Sequence, residues 1–155
     1  MKAILMSGIA GSGKSTWANH YIQNNQNTVV ISTDALRYEL FKSYVLDRDQ
    51  EKIVQKTIME RVEKVARQGL DVIIDIAVVK NKNRVKWYNK LRPYYKNIEL
   101  VYFDIPLETC LINNQNRDRH VPEHVIKFMN GIKQDPDEQV YKLFNNVTVV
   151  KWEDN

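Results

Sequence analysis

A glycine-rich segment near the start of the chain, Gly8–Ser15 with the sequence GIAGSGKS, matches the pattern G-x-x-x-x-G-K-[ST] in full. It follows a short apolar run at residues 2–6, which predicts a strand, and it precedes a predicted helix from Ser15 to about Asn24. Strand, glycine loop and helix N-terminus in this order form a cradle of backbone N–H groups that suits phosphates. We therefore expect this loop, a P-loop, to bind the phosphates of a nucleotide triphosphate.

The individual positions of the loop have predicted roles. Lys14 is expected to reach the β- and γ-phosphates, and the Ser15 hydroxyl is expected to coordinate Mg²⁺. Thr16 is a candidate contact of the α-phosphate, whereas Trp17 is expected to pack rather than to stack on adenine. ATP and Mg²⁺ are the cofactors that this motif implies. The full set of predicted cofactor-binding residues is Gly8, Gly11, Ser12, Gly13, Lys14, Ser15 and Thr16.

Strand-like and helix-like patterns alternate along the rest of the chain. Further strands are predicted at residues 28–32, 71–79, 98–105 and 146–152, and helices at about 35–41, 49–68, 83–91, 107–114 and 122–134. Such alternation is typical of a parallel sheet with helices on both faces. The predicted fold is an α/β P-loop NTPase, a three-layer α/β/α sandwich with a parallel five-stranded sheet. We expect residues 1–155 to form one domain with a small lid at about 113–121.

Composition restricts the kinds of partner that the protein is expected to bind and the cellular compartment in which it is expected to work. The net charge is +4 and the isoelectric point is about 9.1, which suits a phosphate-bearing partner without requiring one. No run approaches the roughly 20 apolar residues of a membrane helix, and the apolar N-terminal run leads directly into the glycine loop, so we interpret it as a strand. The single cysteine, Cys110, excludes an intramolecular disulfide and suggests the cytoplasm.

Two charged side chains follow the second predicted strand, Asp34 and Arg37. Ligands of parallel sheets gather at the carboxyl ends of the strands, so both are expected near the γ-phosphate. A carboxylate at Asp34 could accept the proton of an attacking hydroxyl. Arg37 lies three residues on along a helix and could hold an anionic group of the acceptor. The alternative is that Asp34 only caps that helix.

Three further charged positions are candidates for the chemistry. Asp75 ends the apolar run VIID like a Walker B acid, where it could bind Mg²⁺ through water, orient the acceptor or serve as a structural partner of the P-loop. Arg117 and Arg119 lie in a polar interhelical loop and could act as arginine fingers, or form an ordinary solvated loop. A basic segment at 80–90 could line an entrance for a phosphodiester chain, or be a solvated helix face.

With these residues in place, the chain resembles the kinase domain of phage-type polynucleotide 5′-hydroxyl kinases. These belong to a broad group of small P-loop kinases that includes zeta-type toxins and chloramphenicol phosphotransferase. The matching stretches are GSGKSTWA at 11–18, STDALRYE at 32–39, VIID at 72–75, FDIPLETC at 103–110 and NRDRHVPEHVI at 116–126.

The resemblance implies a general base at Asp34, an acceptor-phosphate contact at Arg37 and a lid arginine at Arg117 or Arg119. It also implies the strand order 2-3-1-4-5 and, for a phage protein, the host cytoplasm. This chain departs from the family pattern just after Asp75. The family has DxT or DTN there, whereas this chain has Asp75-Ile76-Ala77, which weakens the expectation of an acceptor contact at these positions. The chain also has no DxDxT motif of the 3′-phosphatase domain that the phage enzymes often carry.

Three functions remain open at this stage. The first is an ATP-dependent polynucleotide 5′-hydroxyl kinase whose partner is a 5′-OH end of RNA or DNA. The second is a P-loop kinase for a nucleoside, sugar or antibiotic hydroxyl. The third is a non-catalytic NTP-binding regulator, which the Asp34–Arg37 pair and the lid arginines oppose because a switch needs no acceptor base. The sequence favours the first.

Overall fold

The computed structural model describes residues 1–152. The strands are β1 (Lys2–Ser7), β2 (Thr28–Ser32), β3 (Asp71–Val78), β4 (Asn97–Asp104) and β5 (Asn146–Lys151). The helices are α1 (Lys14–Asn24), α2 (Thr33–Phe41), α3 (Arg48–Arg67), α4 (Asn81–Leu91), α5 (Leu107–Gln115), α6 (Glu123–Ile132) and α7 (Glu138–Leu143). None of the helices within these residues has the length and apolar character of a membrane span.

The five strands form one sheet in the order β2-β3-β1-β4-β5, with every pair parallel. This confirms the predicted α/β fold and strand order. The pairing of β1 with β3 is irregular at one point, since Met6 lies opposite Asp75 whereas Ser7 lies opposite Val78. The two residues between, Ile76 and Ala77, bulge out of the ladder at the carboxyl end of β3.

Alternating side chains of β1 belong to two separate hydrophobic clusters, one on each face of the sheet. Ala3 and Leu5 pack with side chains of α3, α4 and α7, while Ile4 and Met6 pack with side chains of α1, α5 and α6. Because successive side chains of a strand point to opposite faces, both faces of the central strand are covered by helices. The molecule therefore has the predicted three layers.

Local sequence explains where several helices begin and end. Ser32 caps α2, and its Oγ accepts from the Ala35 N–H at 3.3 Å. Asp47 and Gln50 form a capping box at the start of α3. Gly69, with φ of 73°, lies in the left-handed region just after that helix, a position that glycine favours.

Several boundaries differ from the prediction by one or two residues, and one helix was not predicted. Helix α5 continues through Gln115, so part of the segment predicted as a loop is its last turn. Helix α7 was not predicted; its start is capped by Asp137, whose side chain accepts from the Val140 N–H at 3.0 Å. At six residues it shows too little periodicity to be recognised from sequence.

Candidate active site

A cleft of about 1270 Å³ opens at the carboxyl edge of the sheet. It is lined by the P-loop, the first turn of α2, the bulged end of β3, the segment between α5 and α6, and the end of β5. Of the predicted site residues, all but Gly8 line this cleft. The topology thus brings together side chains from widely separated parts of the chain, because parallel strands all end at the same edge.

The backbone of the P-loop takes a shape that only glycine accommodates. Gly11 has φ of 81° and Gly13 has φ of 94°. A Cβ on Gly11 would clash with the carbonyl oxygen of Cys110 in α5. The Asn113 side chain, one turn further along α5, donates to the Gly11 carbonyl at 2.9 Å. The conformation of the loop is therefore held both by the positive φ angles of its glycines and by its contacts with α5.

Lys14 lies at the base of this loop with only 8% of its surface exposed. Its Nζ donates to the carbonyls of Gly8 and Ile9, at 3.0 and 2.9 Å. Burial lowers the pKa of Lys14; the charge of Asp75 opposes this shift and that of Arg117 adds to it. The ammonium is thus aimed into the loop, and Arg117 lies near enough for its charge to act on it.

Ser15 and Asp75 form the candidate metal centre. The Ser15 hydroxyl donates to Oδ2 of Asp75 at 2.7 Å, and Asp75 is nearly buried, with 8% exposed. A hydroxyl and a carboxylate oxygen in contact, beside a phosphate loop, form a donor set that fits Mg²⁺, which binds through few protein oxygens plus substrate phosphates and water. The bulged Ile76 and Ala77 line the cleft next to this pair.

Asp34 is held by two arginines from different elements. Its Oδ1 accepts from Nη1 of Arg37 at 2.9 Å, and its Oδ2 accepts from Nη1 of Arg119 at 2.7 Å. Since Ser32 caps α2 and both carboxylate oxygens accept from side chains, the interpretation of Asp34 as only a helix cap is wrong. Its side chain remains 41% exposed to the cleft.

Arg37 is fixed from the other side by Glu51 of α3. Nε and Nη2 donate to the two carboxylate oxygens at 2.8 and 3.2 Å, a bidentate pair. Burial works against the charge, but the hydrogen bonds and charges of Glu51 and Asp34 raise the pKa of Arg37 overall. Arg37 is therefore oriented beside Asp34 as the sequence predicts, with its guanidinium shared between two carboxylates.

The segment between α5 and α6, residues 116–122, lines the cleft and overlaps the stretch at about 113–121 that the sequence predicts as a lid. It is clamped at its base by Asn114, a buried residue whose side chain donates to the Val121 carbonyl at 2.7 Å and accepts from the Val121 N–H at 2.9 Å. Arg117 and Arg119 both project into the cleft but serve different parts of it. Arg119 donates to Asp34, and its Cζ lies 3.8 Å from the ring centroid of Tyr44. Arg117 lies at the other part of the cleft, where its charge contributes to lowering the pKa of Lys14.

The basic segment after β3 does not line the cleft. Arg84 is fully buried, and it donates to Ser7 Oγ at 3.0 Å and to Asn81 Oδ1 at 2.6 Å. Its guanidinium lies 4.9 Å from the Tyr102 ring centroid. The prediction of an entrance lined by this segment is therefore wrong for Arg84, which ties α4 to the end of β1. Trp17 stacks on Tyr21 with ring centroids 5.2 Å apart and also lines the cleft.

Four residues of the site were not found by sequence reasoning: Tyr44, Glu51, Asn113 and Asn114. Asn113 and Asn114 lie where the predicted helix at 107–114 overlaps the predicted lid at about 113–121, and neither has a motif of its own. Tyr44 follows α2 in a stretch without periodicity, and Glu51 is one of several acidic residues on α3. The role of each residue is evident only from the side chain or backbone group that it contacts in the folded structure.

Comparisons with known proteins place this geometry in a family. A family model described as an AAA domain matches residues 4–133. The L-seryl-tRNA(Sec) kinase of Methanococcus maripaludis is 25% identical over 130 residues, which cover 81% of this chain and 50% of that protein. The chain thus spans about half the length of this relative.

Solved structures show the same fold. A chain of the Pnkp1/Rnl/Hen1 RNA repair complex superposes with a TM-score of 0.72 at 24% identity, covering 83% of this chain and 42% of that one. A gluconokinase from Sinorhizobium meliloti 1021 superposes with a TM-score of 0.64 at 17% identity, covering 99% and 83%. The resemblance to the small P-loop kinases is confirmed, and the chain belongs to the AAA domain family with the α/β P-loop kinase fold.

Proposed function

We propose that this chain transfers the γ-phosphate of ATP to the 5′-hydroxyl end of a polynucleotide. The observation that carries the proposal is the position of Asp34. Its carboxylate is held by Arg37 and Arg119 in the same cleft as Lys14 and the Ser15–Asp75 pair. A phosphate loop and a restrained carboxylate facing one cleft are the two parts that transfer to a hydroxyl requires.

Each residue then has a chemical task. The acceptor oxygen forms a bond to the γ-phosphorus as the bond from that phosphorus to the bridging oxygen of ADP breaks, and Asp34 takes the hydroxyl proton. Lys14 and Arg117 stabilise the negative charge on the transferred group and on the leaving oxygen. A Mg²⁺ ion held at Ser15 and Asp75 would neutralise phosphate charge.

Two observations support a polynucleotide as the acceptor. Arg37 uses three of the five N–H groups of a guanidinium on carboxylates, which leaves donors for an acceptor phosphate. Two of the similar proteins carry RNA in their names, an RNA repair complex and a tRNA kinase. The second candidate, a small-molecule kinase, is favoured by the likeness to a gluconokinase.

The experiment offers ATP labelled at the γ-phosphate, with Mg²⁺, to a panel of acceptors. The panel contains RNA and DNA oligonucleotides with a 5′-OH, the same oligonucleotides with a 5′-phosphate as matched controls, free nucleosides, and gluconate with other sugars. We expect label on the 5′-OH oligonucleotides and none on the 5′-phosphorylated ones. Label only on a sugar or nucleoside would contradict the polynucleotide assignment and favour the small-molecule kinase.

A further inference from the structure

An aromatic stack stands beside the proposed base, in the loop between α2 and α3. The Tyr44 ring lies against Tyr38 of α2, with ring centroids 5.3 Å apart and an angle of 21° between the planes. The guanidinium of Arg119 lies over Tyr44, with Cζ 3.8 Å from the ring centroid. A planar cation at this distance shows that Tyr44 presents a ring face to the cleft, and Tyr44 is part of the cleft lining.

The same guanidinium links this ring to Asp34. Nη1 of Arg119 donates to Asp34 Oδ2 at 2.7 Å while its Cζ rests on Tyr44 at 3.8 Å. These two distances and one C–N bond of about 1.3 Å place the ring centroid within about 8 Å of the carboxylate oxygen. This is about the span of one nucleoside, in which the base and the 5′ hydroxyl are attached to a single sugar.

We infer that Tyr44, supported by Tyr38, is the platform on which the 5′-terminal base of the acceptor stacks, in the place that the Arg119 guanidinium occupies in this structure. The inference rests on the proposed function and names what the acceptor site recognises. Every base has a π-face, so such a platform accepts RNA and DNA ends of any sequence. It also separates an acceptor with a base from a sugar, which has no flat face to stack.

Stacking and catalysis are then coupled through Arg119. A base that takes the place of the guanidinium on Tyr44 also draws Arg119 away from Asp34 Oδ2, and that oxygen becomes available to the acceptor hydroxyl. Asp34 stays oriented meanwhile, because Arg37 holds its other oxygen and is itself fixed by Glu51. The competing interpretation is that Tyr44 only docks the lid arginine and never contacts the acceptor.

The test compares two acceptors that differ only at the first nucleotide: a 5′-OH oligonucleotide with a terminal base, and the same oligonucleotide with an abasic 5′-terminal sugar. Steady-state kinetics with each are measured for the wild type and for Tyr44→Leu and Tyr44→Phe. Tyr141→Leu is the matched control, because Tyr141 is 52% exposed on α7 and is not part of the cleft lining. The KM for ATP is measured in parallel.

We expect Tyr44→Leu to raise the KM for the base-bearing acceptor by about fivefold to a hundredfold, the range for a base stacked on an aromatic ring. The KM for the abasic acceptor and the KM for ATP should change less than about twofold, and Tyr44→Phe should behave as wild type because it keeps the ring.

An equal loss with both acceptors, or a loss confined to kcat, would show that Tyr44 only docks Arg119 and would overturn the inference. The inference would also fail if the wild type showed no preference for the base-bearing end. The proposed function is tested separately in the same assay, since it fails only when the wild type phosphorylates neither oligonucleotide.

Discussion

Replacing Asp34 by asparagine separates the catalytic role of this carboxylate from its structural one. Asparagine keeps the size of the side chain and one carbonyl oxygen, but it cannot accept the proton of an attacking hydroxyl. The rate of transfer to a 5′-OH end should fall by about 10²–10⁴, the usual contribution of a general base. The lower limit corresponds to about 2.7 kcal/mol in the activation free energy.

The cost to stability is much smaller. The variant weakens two ion pairs, with Arg37 and Arg119, but the Asp34 side chain is 41% exposed, so solvent screens both. Exposed pairs of this kind contribute about 0.2–1 kcal/mol each. The helix itself keeps its cap because Ser32 supplies it. We therefore expect a loss of about 1 kcal/mol in the free energy of unfolding and a Tm lower by about 2–4 °C.

The assay measures kcat and KM with a 5′-OH oligonucleotide, ATP binding by calorimetry and Tm by circular dichroism. Glu39→Gln is the matched control, since it removes another carboxylate of α2, one paired with Arg61 at 2.7 Å and outside the cleft lining. The control should retain wild-type rates. An Asp34→Asn variant with normal kcat would refute the assignment of the base, and Asp75 would be the next candidate.

The remaining predictions concern the phosphate loop and the lid. Lys14→Ala should abolish transfer while far-UV circular dichroism stays unchanged, because no other cation donates within the loop; residual wild-type activity would contradict the P-loop assignment. Arg117→Ala should lower kcat by at least tenfold and change the Kd for ATP less, as expected for charge stabilised in the transition state; a normal kcat in this variant would show that Arg117 is not catalytic. Gly11→Ala should lower Tm and ATP affinity because its Cβ would collide with the α5 backbone, whereas Gly131→Ala, in open space on α6, should be neutral or stabilising by up to about 1 kcal/mol; equal effects of the two would refute the steric argument.

Local sequence patterns determine the P-loop and much of the secondary structure of this protein. The Gly8–Ser15 motif, the β-branched strands and the periodic apolar face of α3 depend on interactions between residues close in the chain, so the sequence alone predicts them. The strand order followed from the resemblance, and the sheet confirms it. Asp34 and Arg37 lie three residues apart on one helix, so their ion pair was also within reach of sequence reasoning.

Contacts between distant segments were decided only by the tertiary structure. Arg119 meets Asp34 across 85 positions of sequence, and Ser15 meets Asp75 across 60. Arg84 belongs to the basic segment that the sequence predicts as either an entrance for a phosphodiester chain or a solvated helix face, but it is buried on α4 against Ser7 of β1 and Tyr102 of β4. A residue type and its neighbours in sequence determine what a side chain is able to do. Which partner it meets depends on how the parallel strands bring their carboxyl ends together, and that is a property of the whole sheet.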